Sequence, residues 1–415
     1  MGIQWSQEHS NDRKRIPMES GIFHGRQAFY KTKRKEDSMK KKVLAVMIAA
    51  MAALSGCGGE GEESTSPIVD LTPVELATEE PATEPEESVS EEESEAEPEE
   101  AREGMYRSEL TNEWIDESLR NQRPVAVMVD NEKVALPHYG LTEADIVYEM
   151  MNSTENARIT RFMAIVKDWG KIEQFGSIRS TRSTNVYLSG EWNAVLCHDG
   201  GPFFAMDLVK SEPYCENLSG YDYFTEVNNG KRKEFREYIV AGDLEDGFRK
   251  KGYSLEYNEY YEGPHYTFSN KEVDLDEQGS AFACNEIQLI PFKHNQSTLK
   301  YNAETGTYDY YEYGQAHLDP QHDNAPLTFK NLLIQKCSFN KLGEGYLVYN
   351  ILDGAGNDGY YIVNGKAIEV TWYNMSATSP TTYYSKTTGE KIELETGKTY
   401  IAIVPDDTWD EIVIK

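Results

Sequence analysis

Two arginines stand three residues apart in a segment rich in hydroxyl side chains. Residues 176–183 read GSIRSTRS and precede an apolar stretch, a pattern that predicts a strand, a turn and the start of a helix. Backbone N–H groups and the helix dipole favour an anion at such a start, and guanidinium groups hold carboxylates or phosphates through paired hydrogen bonds. Arg179 and Arg182, with Ser180 between them, therefore form a candidate anion-binding site.

Neighbouring strands could complete this site. Residues 124–130 (PVAVMVD), 145–150 (DIVYEM) and 159–166 (ITRFMAIV) predict buried strands that carry charged residues. A structural role is the alternative, in which Arg179 and Arg182 pair with Asp130 and Glu149 and hold the sheet together, because paired arginines in α/β folds often neutralise buried acids. The candidate ligand-binding residues are Arg179, Arg182, Arg161, Asp130, Asn131, Glu149, Ser180 and His198.

His198 is the weak candidate for catalysis. It follows the apolar residues 193–197 (NAVLC), and two glycines come shortly after it, which predicts a position at the carboxyl end of a strand, where clefts of open sheets form. A general base there would need an orienting acid, for which Asp199, Asp130 and Glu149 are candidates. A structural or ligand-binding histidine is the alternative, and no G-x-S-x-G, H-E-x-x-H or Walker pattern favours catalysis.

A short cluster of metal-ligand residue types lies in the C-terminal part. It could bind a divalent metal, but Pro320 predicts a turn, and we expect solvated turn residues there. No metal and no cofactor are therefore predicted. The cluster consists of His317, Asp319, His322 and Asp323.

The Tyr-rich stretches at 257–266 and 308–313 could stack on sugar rings or peptide. Alternating tyrosines are also typical of half-buried strands, and we favour that interpretation. Asn364 and Gly365 between apolar runs predict a hairpin, and Asp243 is a suitable N-cap for a helix. The fold class predicted is α+β, with an α/β domain at 106–270 and a β-rich, mostly antiparallel domain at 271–415.

The N-terminal region predicts export and lipid anchoring. Lysines 40–42 precede the apolar residues 43–54 (VLAVMIAAMAAL), which are too short to span a bilayer and fit a signal peptide. Residues 54–57 (LSGC) resemble a lipobox, in which Cys57 is acylated, for example with palmitate, and becomes the mature N-terminus. An uncleaved signal anchor is the alternative. The signal peptide is placed at 39–57, and residues 1–38, upstream of Met39, are interpreted as an unfolded extension.

An acidic tether follows at 58–105. Its stretches such as residues 79–87 (EEPATEPEE) contain almost no apolar surface, so it should stay disordered, with an end-to-end distance on the order of 40 Å. The whole chain has 71 Asp and Glu against 41 Lys and Arg, a net charge of −30, which argues against a nucleic-acid partner.

The predicted partners are the membrane, reached through lipidated Cys57 at the outer face of the plasma membrane, and an anionic small ligand, a cell-wall component or a protein. In that compartment Cys197, Cys215, Cys284 and Cys337 could form disulfides or stay as buried thiols, and the sequence does not choose.

Several of these segments together resemble one family, the YerB-like lipoproteins of Gram-positive bacteria, whose shared domain is described as of unknown function. The resemblance implies an N-terminal α/β domain packed with a C-terminal β-rich part. It rests on residues 123–131 (RPVAVMVDN), 140–149 (GLTEADIVYE), 159–162 (ITRF) and 176–182 (GSIRSTR), on His198 with Gly200 and Gly201, on His317 with Asp319, and on Gly365, Trp372, residues 397–399 (GKT) and residues 404–405 (VP).

The chain departs from the family pattern at residues 236–240 (REYIV), where the family usually has an Arg followed by a Pro-His-Asn step. If that His and Asn are catalytic, this chain lacks them. We therefore expect a non-enzymatic binding or scaffold protein at the cell envelope, with an envelope hydrolase that uses His198 and a carboxylate as the alternative.

Overall fold

The computed structural model describes residues 101–415, and all of them lie in one compact unit. The predictions for the extension at 1–38, for the signal peptide with Cys57 and for the tether up to residue 100 lie outside the described residues. The first strand begins at Met105.

The first strands are β1 (Met105–Arg107), β2 (Trp114–Asp116), β3 (Val125–Asp130), β4 (Ile146–Met151), β5 (Thr160–Val166), β6 (Gln174–Gly176), β7 (Val195–His198), β8 (Asn217–Ser219), β9 (Thr225–Glu226) and β10 (Glu237–Val240). The later strands are β11 (Phe282–Ala283), β12 (Glu286–Gln288), β13 (Thr298–Asn302), β14 (Thr307–Glu312), β15 (Gln315–Ala316), β16 (Leu318–Asp319), β17 (Ala325–Pro326), β18 (Thr328–Phe329), β19 (Asn331–Cys337), β20 (Phe339–Gly343), β21 (Tyr346–Tyr349), β22 (Asn357–Val363), β23 (Lys366–Tyr373), β24 (Thr382–Ser385), β25 (Thr399–Pro405) and β26 (Val413–Ile414). The α-helices are α1 (Ser183–Glu191), α2 (Phe203–Ser211), α3 (Asp243–Lys251) and α4 (Leu275–Gln278).

An 11-stranded mixed sheet forms the centre of the fold. Its order is β11-β23-β22-β19-β25-β4-β5-β3-β7-β8, and β24 pairs with β23. Strands β3, β4, β5 and β25 are buried along their whole length, as expected of near-continuous apolar runs covered on both faces. Two hydrophobic clusters, one on each face, provide that cover.

Strand β25 joins the two halves of the chain within this sheet. It runs parallel to β19 on one side and to β4 on the other. The C-terminal part is otherwise mostly antiparallel, as expected, and includes a 6-stranded sheet, β15-β14-β13-β12-β26 with β18 beside β14. The fold is therefore richer in β-structure, and has fewer helices, than the predicted α+β class suggested.

Most local predictions are confirmed. Strands β3, β4, β5 and β7 form where the apolar runs predicted them. Asn364 and Gly365 both have positive φ, 50° and 76°, and connect β22 to β23 as a tight hairpin. The predicted cap of α3 is wrong by one residue: the helix begins at Asp243 and Gly242, in the left-handed region, is its N-cap, while the Asp243 carboxylate accepts a hydrogen bond from the backbone N–H of Val240 at 3.0 Å.

The four cysteines of the described part are buried free thiols. Burial raises the pKa of Cys215, Cys284 and Cys337 to about 12, so these thiols are unreactive at neutral pH. None of the helices between residues 101 and 415 is both long enough and apolar enough to span a membrane.

Candidate functional site

Three arginines meet at the carboxyl end of β3. Arg161 on β5 lies directly opposite Asp130, the last residue of β3. Arg179 follows β6, and its backbone N–H donates to the carbonyl of Met128 at 2.9 Å. Arg182 is the N-cap residue of α1. We call Arg161, Arg179 and Arg182, together with Asp130, the arginine cluster.

Asp130 is held by two of these arginines. Arg179 Nε donates to Asp130 Oδ2, and Arg161 Nη2 lies 3.7 Å from the same oxygen. Burial alone would raise the pKa of this carboxyl, but Arg161 and Arg179 hold it below its usual value. Asp130 therefore stays ionised and fixes two of the three guanidinium groups.

Arg182 has no such partner: within residues 101–415 no carboxylate forms an ion pair with it. Its Nη1 donates to the carbonyl of Thr181 at 2.9 Å, and its guanidinium lies 5.3 Å from the centre of the Tyr346 ring. Its Nε atom is buried without a hydrogen-bond partner, as is that of Arg161. Burial, and then repulsion from Arg161, lowers the pKa of Arg182 to about 9. The cluster thus carries surplus positive charge at a half-buried position.

One carboxyl group beside the cluster does not neutralise it. Glu237 on β10 is 1% exposed, and in the described part of the chain no N–H or hydroxyl group donates to its carboxyl oxygens. Burial and the nearby Asp199 raise the pKa of Glu237 to about 8, although Arg179 acts in the opposite direction. Glu237 is therefore mostly uncharged at pH 7. It belongs to the segment at which the chain departs from the family pattern.

Glu149 does not join the arginines, contrary to the expectation from its strand position. Residues alternate between the two sides of a strand, and Glu149 lies on the side opposite to Asp130, where Asn131 Nδ2 donates to it at 3.3 Å. There its carboxylate accepts hydrogen bonds from Thr160 (2.6 Å), Ser297 (2.7 Å), Tyr310 (2.9 Å) and Tyr400 (2.6 Å). Asn131 and Glu149 thus form a separate buried network.

Ser180 contributes its backbone and not its hydroxyl: its carbonyl accepts a hydrogen bond from Arg161 Nη1 at 2.6 Å. His198 is fully buried, and both of its ring nitrogens have partners. Nδ1 lies 2.8 Å from the carbonyl of Gly200, and Nε2 lies 3.3 Å from Asn217 Oδ1. Neither nitrogen contacts Asp130, Asp199 or Glu149, so the hydrolase alternative gains no geometric support.

The turn at residues 317–323 is only partly solvated, which corrects the expectation. His322 is exposed and lies 2.8 Å from Glu143. Asp319 is buried, and its carboxylate accepts hydrogen bonds from the backbone N–H groups of Gly140 and Thr142, each at 3.1 Å. His317 is also buried and faces two residues, His138 and Glu312, that could hold a metal with it.

The tyrosine pattern in β14 is that of a half-buried strand, as favoured: Tyr308 and Tyr310 are buried and Tyr311 is less so. Sequence analysis missed Glu237, Tyr346 and His138. None of them stands in a recognisable motif, and the usable signal for Glu237 was its place in the segment that departs from the family pattern.

Comparisons with known proteins give one consistent family. Residues 110–254 match the N-terminal domain of the protein family of unknown function DUF3048, and residues 288–401 match its C-terminal domain. The chain is 24% identical over 309 residues to "Putative lipoprotein YerB" of Bacillus subtilis (strain 168), with 72% of this chain and 86% of the relative covered. The crystal structure of YerB from Bacillus subtilis is similar in fold, with a TM-score of 0.62 at 23% identity, and covers 74% of this chain and 99% of the YerB chain.

Proposed function

This chain belongs to the DUF3048 family of YerB-like proteins, and from that premise we propose that it is an envelope lipoprotein whose folded part binds an anionic ligand at the arginine cluster. The ligand would carry a phosphate, sulfate or carboxylate group. We propose binding without catalysis, because His198, the histidine considered for that role, has both ring nitrogens engaged.

The observation that carries the proposal is the unpaired charge of Arg182. Its side chain is half-buried and lies near Arg161 without a carboxylate ion pair of its own. A charge in such a position costs free energy unless an opposite charge offsets it. An anion beside Arg182 and Arg179 would provide that offset, and the planar guanidinium groups suit a bidentate contact.

The envelope location rests on the N-terminal region and on the relative. Lysines 40–42, an apolar run and Ser55-Gly56 precede Cys57, and the Bacillus relative bears the name of a lipoprotein. We propose that Cys57 carries the lipid, that residues 58–105 act as the tether and that the folded part lies at the outer face of the plasma membrane.

Calorimetric titration of the detergent-solubilised full chain with inorganic phosphate and with sulfate tests ligand binding. We expect Arg182→Gln to weaken binding by at least about 10-fold, since a hydrogen bond to a charged group contributes about 1.5–3 kcal/mol. The matched control is Arg249→Gln, because Arg249 is exposed on α3 and pairs with Asp246; it should bind as the unsubstituted chain does.

The same substitution has a second expected effect. Because Arg182 is repelled by Arg161, Arg182→Gln should leave the thermal stability of the ligand-free protein equal or slightly higher. Absence of binding to the unsubstituted chain, or equal binding by both variants, would reject the anion site.

Metabolic labelling with palmitate and membrane fractionation test the anchor. A Cys57→Ser chain should lose the label and leave the membrane fraction. An unlabelled native chain, or a Cys57→Ser chain that stays bound to membranes, would contradict lipid anchoring without bearing on the arginine cluster.

A further inference from the structure

Three side chains with metal-binding atoms converge from distant parts of the sequence. His138 lies in the segment between β3 and β4, Glu312 ends β14, and His317 lies between β15 and β16. One ligand atom from each residue lies within 4.8 Å of the other two. The centres of the two imidazole rings are 5.0 Å apart.

All three side chains are buried, and each has an unused polar atom. Residue exposures are 0% for His138 and 3% for both Glu312 and His317. His138 Nδ1, Glu312 Oε2 and His317 Nε2 have no hydrogen-bond partner. A buried polar atom without a partner is costly and uncommon in folded proteins. Unpartnered polar atoms on three adjacent buried side chains point to a ligand that this cluster would bind.

The contacts of the ring nitrogens are compatible with metal ligation. His138 Nε2 lies 2.5 Å from the carbonyl oxygen of Asp130, which can only accept, so this nitrogen carries the proton and Nδ1 keeps its lone pair. A second ring nitrogen bonded to a carbonyl is the usual outer support of a metal-bound histidine. His317 Nδ1 lies 3.0 Å from Glu312 Oε1, which is close to the separation of two ligand atoms on one tetrahedral ion, so a metal would take the place of the proton between these two atoms.

We propose that His138, Glu312 and His317 bind a divalent transition-metal ion, with Zn²⁺ as the best match. Two imidazole nitrogens and one carboxylate oxygen suit zinc, whereas Mg²⁺ and Ca²⁺ prefer oxygen ligands alone. Tetrahedral zinc places its ligand atoms roughly 3.4 Å apart, so side-chain movements of about 1 Å would close the site.

A cavity beside two of the three ligands would provide the fourth position. Glu312 and His317 line a cavity of about 380 Å³ together with Lys133, Pro137 and Tyr313. Zinc sites with three protein ligands typically keep such a position for water or a small ligand. The metal would also link the N-terminal and C-terminal family domains, since His138 lies in the first and Glu312 and His317 lie in the second.

Metal titration of the chelator-treated full chain tests the proposal. We expect one equivalent of Zn²⁺ to bind by calorimetry and to raise the unfolding temperature. Co²⁺ in its place should give the visible d–d absorption of a four-coordinate site with nitrogen ligands.

Variants then locate the site. Outer partners of metal ligands alone change affinity by about 10–100-fold, so Glu312→Gln and His317→Ala should each weaken Zn²⁺ binding by at least about 100-fold. His322→Ala is the matched control, because this exposed histidine of the same segment pairs with Glu143; it should bind Zn²⁺ normally. Glu312→Gln keeps the side-chain size, so its metal-free unfolding temperature should stay close to that of the unsubstituted chain.

No binding of Zn²⁺ or Co²⁺ to the unsubstituted chain would overturn the proposal. So would a loss of binding in His322→Ala with retention in Glu312→Gln. The result does not depend on variant folding, because stoichiometry and the Co²⁺ spectrum are measured on the unsubstituted chain.

Discussion

Burial changes the charge of individual side chains around the arginine cluster. Burial lowers the pKa of Arg182 to about 9, so this side chain keeps its positive charge at neutral pH without a carboxylate ion pair of its own, whereas burial raises the pKa of Glu237 to about 8 although Arg179 is near. Both pKa shifts follow from the removal of charged groups from water. The local surplus of positive charge is thus a property of the folded site, in a chain whose net charge is −30.

The pH dependence of stability should reveal Glu237. Its pKa in the folded protein is about 8, owing to burial and Asp199 and despite Arg179 and Lys233. The unfolded value is near 4.5, so the folded state holds a proton that the unfolded state has lost between these pH values. The stabilisation is complete below about pH 4.5 and is lost as pH rises to about 8. The glutamine side chain of Glu237→Gln cannot ionise, so this variant should not show the loss of stability that Glu237 causes as pH rises.

Thermal denaturation of both forms at pH 5, 7 and 8.5 measures the effect. The unfolding temperature of Glu237→Gln minus that of the unsubstituted chain should increase by a few degrees from pH 5 to pH 8.5, at roughly 2 °C per kcal/mol for a protein of this size. Groups such as Asp145, with a pKa of about 7, are common to both forms and cancel in the difference. A pH-independent difference would contradict the raised pKa.

Close backbone contact fixes individual strands of the large sheet. Gly359 in β22 lies opposite Val370 of β23 and Gln335 of β19. A Cβ atom at residue 359 would lie 2.5 Å from the backbone oxygen of Ile334, a separation at which the strands must shift. The register of β19 and β22 therefore depends on a residue without a side chain.

Gly359→Ala should destabilise the protein because the contact is with backbone, which cannot move aside easily. Overpacking of this kind costs about 1–3 kcal/mol, and chemical denaturation would measure it. Gly170→Ala is the matched control, since the nearest atom to its added Cβ, Glu245 Oε1, is 4.0 Å away. A Gly359→Ala chain as stable as the control would show that β22 has room to adjust.

The whole molecule depends on one strand from the C-terminal end of the chain. Strand β25 lies between β19 and β4, and thus connects strands of the two family domains within the sheet. Without it, β4 and β19 would present unpaired backbone groups and apolar side chains to water. We therefore expect the N-terminal domain to be incomplete by itself.

A chain that ends at residue 398 should fail to fold. We expect loss of cooperative unfolding, monitored by circular dichroism, and rapid digestion in limited proteolysis. A chain that ends at residue 412 is the control, because it lacks only β26, an outer strand of the smaller sheet; it should unfold cooperatively. A cooperative transition in the shorter chain would show that the N-terminal domain is independent.

The sequence alone determined the local features. Apolar runs predicted β3, β4, β5 and β7, and Asn364-Gly365 predicted the hairpin, because side-chain periodicity and backbone preference act over a few residues. One of its two alternatives for the arginines was pairing with Asp130, and Arg179 Nε does donate to Asp130 Oδ2, whereas Arg182 forms no ion pair with it in the described part of the chain.

Only the tertiary structure decided what depends on distant partners. It placed Glu149 and Asp130 on opposite sides of the sheet, inserted β25 parallel to β4, and brought His138 beside Glu312 and His317. The physical reason is that strand periodicity defines two sides without saying what covers each. Long-range packing makes that choice, and it alone determines which polar atoms end up buried together.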